Sequence, residues 1–118
     1  MTKEGGSPPA GPAGPGKGER EVRVSLPGHL RNLADAPPEV ALRIPEPATI
    51  GAVVNAIEMT YPMLRGTIRE IETGKRRAYI RYLACGEDLS HRPESTPLPE
   101  PVASGQEVFN VIGAISGG

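Results

Sequence analysis

The sequence predicts an α+β domain in which a β-sheet packs on one main helix, and three observations predict it. Apolar residues alternate along Val22 to Leu26 and again along Val40 to Ile44. They recur at helical spacing from Ile50 to Tyr61, and a last strand-like run, Glu107 to Ile112, leads directly into Gly113-Ala114-Ile115-Ser116-Gly117-Gly118. Period two marks a strand with one buried face and period 3.6 an amphipathic helix, so the two kinds of apolar surface can cover each other.

Residues 1–20 stand apart from the rest. Gly, Pro, Ala and Ser fill most positions there, and no aromatic or β-branched residue occurs except Thr2. Such a segment cannot bury enough apolar surface to offset chain entropy, so it is expected to be a disordered tail. The run Gly11-Pro12-Ala13-Gly14-Pro15-Gly16 is too short for a collagen triple helix. The expected organisation is a tail at 1–20, a folded domain at 21–112 and a flexible ending at 113–118.

The folded part begins with Val22, Val24 and Leu26 inward and Arg23 and Ser25 outward. A connection rich in Pro, Gly, Asn and Asp runs from Pro27 to Pro38, after which Val40, Leu42 and Ile44 point inward. Two strands consecutive in sequence are expected to pair antiparallel. Pro45 and Pro47 end the second strand, and Thr49 is placed to cap a helix carrying Ile50, Val53, Val54, Ile57 and Tyr61 on one face. Pro62 stops that helix, and a short helical turn is expected over Met63 to Ile68. Arg77 to Ala84 is rich in strand formers, Cys85-Gly86 reads as a turn and Asp88 to Ser90 as a short returning strand. His91 to Pro101 carries prolines that cannot feed a central ladder, so it is a loop. Ser104-Gly105-Gln106 turns the chain into Glu107 to Ile112, with Phe109 and Val111 inward and Val108 either outward or at a bulge.

Composition excludes several function classes. With 118 residues, the chain has room for one domain and not for a cofactor domain beside a substrate domain. A net charge of −1 lacks the basic excess of a nucleic-acid binder, and the only basic run, Lys75-Arg76-Arg77, reads as a solvated loop. No apolar stretch has the length of a membrane helix, and the N-terminus has no apolar signal core, so a cytoplasmic chain is expected. The single cysteine, Cys85, agrees with a reducing compartment.

The ending is the most informative feature. A terminal carboxylate becomes chemically useful when another enzyme activates it, and a narrow channel admits backbone only where side chains are absent, as at Gly117 and Gly118. Terminal glycines also occur as plain frayed ends, so the upstream domain has to support the reading.

It does so by resemblance. The strand Val22-Arg23-Val24-Ser25-Leu26-Pro27, the helix start Ala48-Thr49-Ile50-Gly51, the segment Tyr61-Pro62-Met63-Leu64-Arg65, the turn Gly86-Glu87-Asp88, the stretch Ser104-Gly105-Gln106-Glu107-Val108 and the ending Gly113 to Gly118 come in an order that resembles the MoaD/ThiS family of ubiquitin-like sulfur carriers. The resemblance covers Glu21 to Gly118. It implies the β-grasp fold, a mixed sheet packed on one main helix. It also implies a non-catalytic carrier, as in the small subunit of molybdopterin synthase. In that family a ubiquitin-activating-type enzyme adenylates the terminal glycine with ATP, and a sulfur donor converts it to a thiocarboxylate. Carried over, Gly118 is the reactive position, Gly117 is needed for threading, and Ser116, Ile115, Ala114 and Ile112 contact the partner. No cofactor is expected on this chain, since ATP and Mg²⁺ belong to the activating partner. The acceptor would be an enzyme such as the molybdopterin synthase large subunit, with cysteine, thiamin or tRNA thiolation as other destinations. Cys85 stands where the family often has Asn, and the His91 to Pro101 loop is longer and richer in proline.

Two further readings stay open: a modifier conjugated to lysines through Gly118, and an interaction module that is never activated. Catalytic alternatives within the chain are poor. His29 and His91 lie in loop-like segments without zinc spacing and read as surface histidines. Cys85 has no base with an orienting third group, Glu87-Asp88 reads as solvated acids, and Gly51 alone cannot make a phosphate loop.

Overall fold

The computed structural model describes residues 18–113; the Gly/Pro-rich stretch 1–17 and residues 114–118 lie outside them. Strand β1 (Glu19–Ser25) pairs antiparallel with β2 (Glu39–Pro45), from Glu19 opposite Pro45 to Ser25 opposite Glu39. Pairing therefore starts two residues before Glu21. The expected connection between the two strands contains a helix, α1 (Gly28–Ala34), which the Pro, Gly and Asn around it conceal. Leu30 and Ala34, four residues apart on one face, are buried, and Asp35 closes the helix in the left-handed conformation (φ 54). Two buried side chains outweigh poor helix propensity here.

Helix α2 (Ile50–Thr60) begins where Thr49 Oγ1 accepts the Ala52 N–H at 3.1 Å. Ile50, Val53, Val54 and Ile57 are buried, Tyr61 packs partly against them, and Pro62 opens a 3₁₀ turn (Pro62–Leu64) in place of the longer turn expected to Ile68. Strand β3 (Ile80–Ala84) is shorter than the Arg77–Ala84 run, because the preceding backbone is engaged elsewhere: Arg77 N–H donates to Ile68 O at 2.9 Å. Cys85 and Gly86 both have positive φ (54 and 73), the conformation of a two-residue hairpin turn. The turn leads into β4 (Glu87–Asp88). Pairing stops before Ser90, whose Oγ accepts the Tyr82 N–H instead. The proline-rich loop ends in a four-residue helix, α3 (Glu100–Ala103), and β5 (Phe109–Gly113) follows. Val108 is half-buried just before β5, so no bulge is needed.

The sheet order is β2-β1-β5-β3-β4, with β1 and β5 parallel and the other pairs antiparallel. This is the expected mixed sheet packed on one main helix. Val22, Val24, Phe109, Val111, Ile80 and Tyr82 turn inward against α2 to form one aliphatic core with a Tyr82–Phe109 ring contact.

The proline-rich loop has a structural duty. Thr96 O accepts from Ile50 N–H at 3.0 Å and Glu94 O from Gly51 N–H at 2.9 Å, so carbonyls of the loop satisfy the first donors of α2. A Cβ on Gly51 would stand 3.0 Å from Glu94 Cβ, so Gly51 permits the close crossing. Arg69 clamps the same region, donating to Glu58 Oε2 at 3.1 Å, to Glu94 Oε1 at 2.8 Å and to Asn55.

Truncating Val24, Ile57 or Val111 to Ala is expected to cost about 1 to 4 kcal/mol in urea unfolding. Tyr82 gives a pH dependence: burial, with the nearby Glu94 carboxylate, pushes its phenol up to about 12. An unfolded chain releases that proton near pH 10. Between about pH 10 and 12 the folded state thus holds more protons, and stability falls as pH rises, by at most about 1.4 kcal/mol per pH unit. The Tyr82 hydroxyl is buried without a hydrogen-bond partner among the described residues. Tyr82→Phe is therefore expected to remove this alkaline loss without lowering stability at pH 7, both read by melts across pH.

Candidate functional site

Sequence and fold converge on the end of β5. This strand is the middle one of the five, held by β1 on one side and β3 on the other, and Gly113 is its last residue, opposite Ile80. The residues expected to react, thread or dock beyond it, Ala114, Ile115, Ser116, Gly117 and Gly118, lie outside the described residues. The structure describes the platform from which they continue.

Alternation along β5 sends Phe109 and Val111 into the core and Asn110 and Ile112 to the face opposite α2. Ile112, expected as a docking contact, is 40% exposed, with Arg81 as its cross-strand neighbour. Asn110 ties three strands together. Its Oδ1 accepts from Ser25 Oγ at 2.8 Å, and its Nδ2 donates to Leu83 O at 3.1 Å. Polar cross-links thus hold the platform's outer face, and Ile112 is an exposed apolar residue one position before Gly113.

Charges on this face are paired. Arg81 reaches Asp88 at 3.1 Å, and hydrogen bonds from Ser90 hold the Asp88 carboxyl below the ordinary carboxylate range. Arg23 donates to Glu39 at 2.8 Å and to Gly105 O at 2.8 Å; its hydrogen bonding likewise holds Glu39 low. Ion pairs this exposed contribute little to stability.

One residue near the exit was not singled out in the sequence as part of the site. His29, the exposed second residue of α1, lays its ring against Gly113. A Cβ on Gly113 would overlap His29 Cε1 and stand 3.3 Å from Nδ1 and 3.4 Å from Nε2. No local signal links positions 29 and 113; only the strand pairing does.

The other candidates are not gathered into a site. His91 and Cys85 are exposed, Glu87 bonds Arg92, and among the described residues no group of three or more His, Cys, Asp or Glu could hold a metal ion. The first N–H groups of α2 are taken by the proline-rich loop, which agrees with Gly51 not opening a phosphate site. Among the described residues no helix is long and apolar enough to cross a membrane.

No protein-family model and no curated protein matches the chain. Solved structures do. SAMP1 from Haloferax volcanii is 19% identical with a TM-score of 0.66, covering 83% of this chain and 99% of that one. The small archaeal modifier protein 1 from Methanosarcina acetivorans is 25% identical with a TM-score of 0.64, covering 85% and 98%. The Amycolatopsis orientalis BexX/CysO complex contains a chain that is 18% identical with a TM-score of 0.63, covering 82% and 99%. These likenesses establish the fold as β-grasp, of the ubiquitin-like kind.

The geometry separates the roles of Asn110 and Ile112 on one strand. Asn110→Ala leaves partly buried groups of the two neighbouring strands, Ser25 Oγ and Leu83 O, without that partner and is expected to cost about 1 to 3 kcal/mol. Ile112→Ala, on an exposed face, is expected to stay within about 0.5 kcal/mol. Urea titration of the two variants checks the contrast.

Proposed function

We propose that this chain is a ubiquitin-like sulfur carrier whose Gly118 carboxylate is adenylated and then converted to a thiocarboxylate. The single observation that carries the reading is the junction at Gly113. The central strand of a β-grasp domain ends at Gly113, and the sequence continues directly from it as Ala114-Ile115-Ser116-Gly117-Gly118.

The chemistry suits a chain without catalytic side chains. A carboxylate is a poor electrophile until its oxygen becomes part of a good leaving group. Attack of the Gly118 carboxylate on the α-phosphorus of ATP releases pyrophosphate and leaves an acyl-adenylate. Sulfide, the donor, then displaces AMP, and the thio acid so formed is a soft nucleophile that an acceptor enzyme can use. ATP and Mg²⁺ sit on the adenylating partner. Gly117 lets the backbone thread that partner's channel, while Ile112, Ala114, Ile115 and Ser116 dock against it.

Among destinations, molybdopterin synthesis is ranked first, narrowly, on the size of the folded part, which suits a carrier for cysteine synthesis as well. Cysteine, thiamin and tRNA thiolation are the others. The neighbours named small archaeal modifier proteins support a second reading, in which the same activated Gly118 is joined to lysines of other proteins.

Intact mass separates these readings. After incubation with ATP, sulfide and the host adenylating enzyme, a gain of about 16 Da, sulfur replacing oxygen on a chain ending at Gly118, is expected for the carrier. Adducts heavier by whole proteins would indicate the modifier. An unchanged mass beside a competent enzyme would overturn activation altogether and leave an interaction module. Gly118→Ala is expected to lower thiocarboxylate formation at least about tenfold with an unaltered melting temperature.

A further inference from the structure

We propose that the free edge of β2 is an interface between two copies of this chain: two β2 strands pair antiparallel about Ala41, with Glu39 of each copy opposite the partner's Arg43. The inference goes beyond the carrier reading and does not depend on it, since β1 stands between this edge and β5.

The backbone groups on the edge follow from register. Glu46 N–H donates to Gly18 O at 2.8 Å, which makes this a hydrogen-bonded pair and continues the Glu19–Pro45 register of β1 and β2. In an antiparallel ladder such pairs recur at every second residue. Ile44, Leu42 and Val40 therefore turn their N–H and C=O groups toward β1, while Arg43, Ala41 and Glu39 turn theirs outward. β2 is an outer strand of the sheet, and among the described residues no hydrogen bond reaches those outward groups. Pro45 belongs to the same outward set, where a strand proline removes no ladder bond.

A second copy is the occupant that these groups fit. About a two-fold axis at Ala41, Glu39 meets the partner's Arg43 and Arg43 meets the partner's Glu39. Every outward residue thus meets another outward residue, and each pair can exchange both of its N–H···O bonds. The next position sets Pro45 against the partner's Pro37, and neither has an N–H, so prolines close the ladder at both ends. Sliding the register by two residues sets either Arg43 against the partner's Pro37 or Glu39 against the partner's Pro45, and leaves neither charge opposite its complement.

Charge makes the same choice. Glu39, Ala41 and Arg43 all lie on the exposed face of β2, and residues directly opposite in an antiparallel pair have Cβ atoms about 5 Å apart. Arg23 of the same chain holds the Glu39 carboxylate at 2.8 Å, whereas Arg43 stands 3.9 Å from Glu19, beyond hydrogen-bond distance. A carboxylate can accept further bonds, so Glu39 is a placed acceptor and Arg43 a donor with bonds to give. A lone charge on an edge strand discourages pairing; opposite charges placed symmetrically about Ala41 discourage every register but the one that matches them. The other outer strand, β4, offers only two residues, and pairing it with β2 of a second copy would not close into a dimer. A ladder this short buries little apolar surface, so the dimer is a weak one, with a Kd on the order of 100 μM.

The test is sedimentation equilibrium of the full chain up to about 1 mM. Wild type is expected to pass from monomer to dimer and no further. Ala41→Pro removes the N–H at the centre of the interface without touching a bond to β1, and is expected to weaken the dimer at least about tenfold. Glu39→Arg and Arg43→Glu each set like charges opposite one another at both ends of the ladder and are expected to weaken it at least about tenfold as well. Mixed together, these two variants restore opposite charges at both ends, and the mixture is expected to associate within about threefold of wild type. Melting temperatures within about 4 °C would show that the folded fraction is not what changes. Wild type that stays monomeric throughout, or that associates beyond a dimer, would overturn the interface. So would an Ala41→Pro chain that associates like wild type, or a mixture no tighter than its components. A monomer whose Ala41 amide is nonetheless protected from hydrogen exchange would assign the edge to another segment of the same chain, and would overturn the proposal too.

Discussion

The parallel pairing of β1 with β5 is the constraint on which the rest of this molecule depends. Adjacent parallel strands cannot be joined by a tight turn, so the chain between them must include a crossover over a face of the sheet. Here that crossover carries α2, and the apolar stripe of α2 covers Val22 and Val24 of one strand and Phe109 and Val111 of the other. Placing these two strands side by side buries Val22, Val24, Phe109 and Val111 together. The short, charged β4 and the alternating β2 are left at the edges, where unpaired backbone faces water.

The same pairing makes both strands finish at one edge of the sheet. One chain end there turns into α1, and the other continues past Gly113. Any side chain at the start of α1 is therefore a neighbour of the exit by register alone. This geometry brings together His29 and Gly113, two residues that sequence separates by most of the domain.

Around that frame the irregular segments serve the helix. A proline-rich loop has few N–H groups to satisfy but many carbonyls to offer, and α2 begins with N–H groups that lack partners. Thr96 and Glu94 supply the carbonyls, Gly51 permits the approach, and Arg69 binds the loop to the helix through Glu94, Glu58 and Asn55. A domain in which, among the described residues, no group of three or more His, Cys, Asp or Glu could hold a metal ion suits the proposed division of labour, in which the carrier presents a carboxylate and the partner supplies the chemistry.

Sequence periodicity alone was enough for β1, β2, α2 and β5, because alternation and helical spacing report directly which faces must be buried, and Thr49 and Pro62 act within one turn of the helix ends they define. The candidate reactive end, Gly117-Gly118, is a reading of the sequence alone and lies outside the described residues. Helix α1 was not, since only Leu30 and Ala34 signal it amid residues that favour turns, and burial against the sheet overrides that preference. Nor was the early end of β4, where Ser90 takes the Tyr82 N–H away from the ladder. The docking of the proline-rich loop on α2, the clamp at Arg69 and the ring of His29 over Gly113 belong to tertiary structure alone. Each joins residues far apart in the chain, and such contacts are set by strand order and register, which no local pattern encodes.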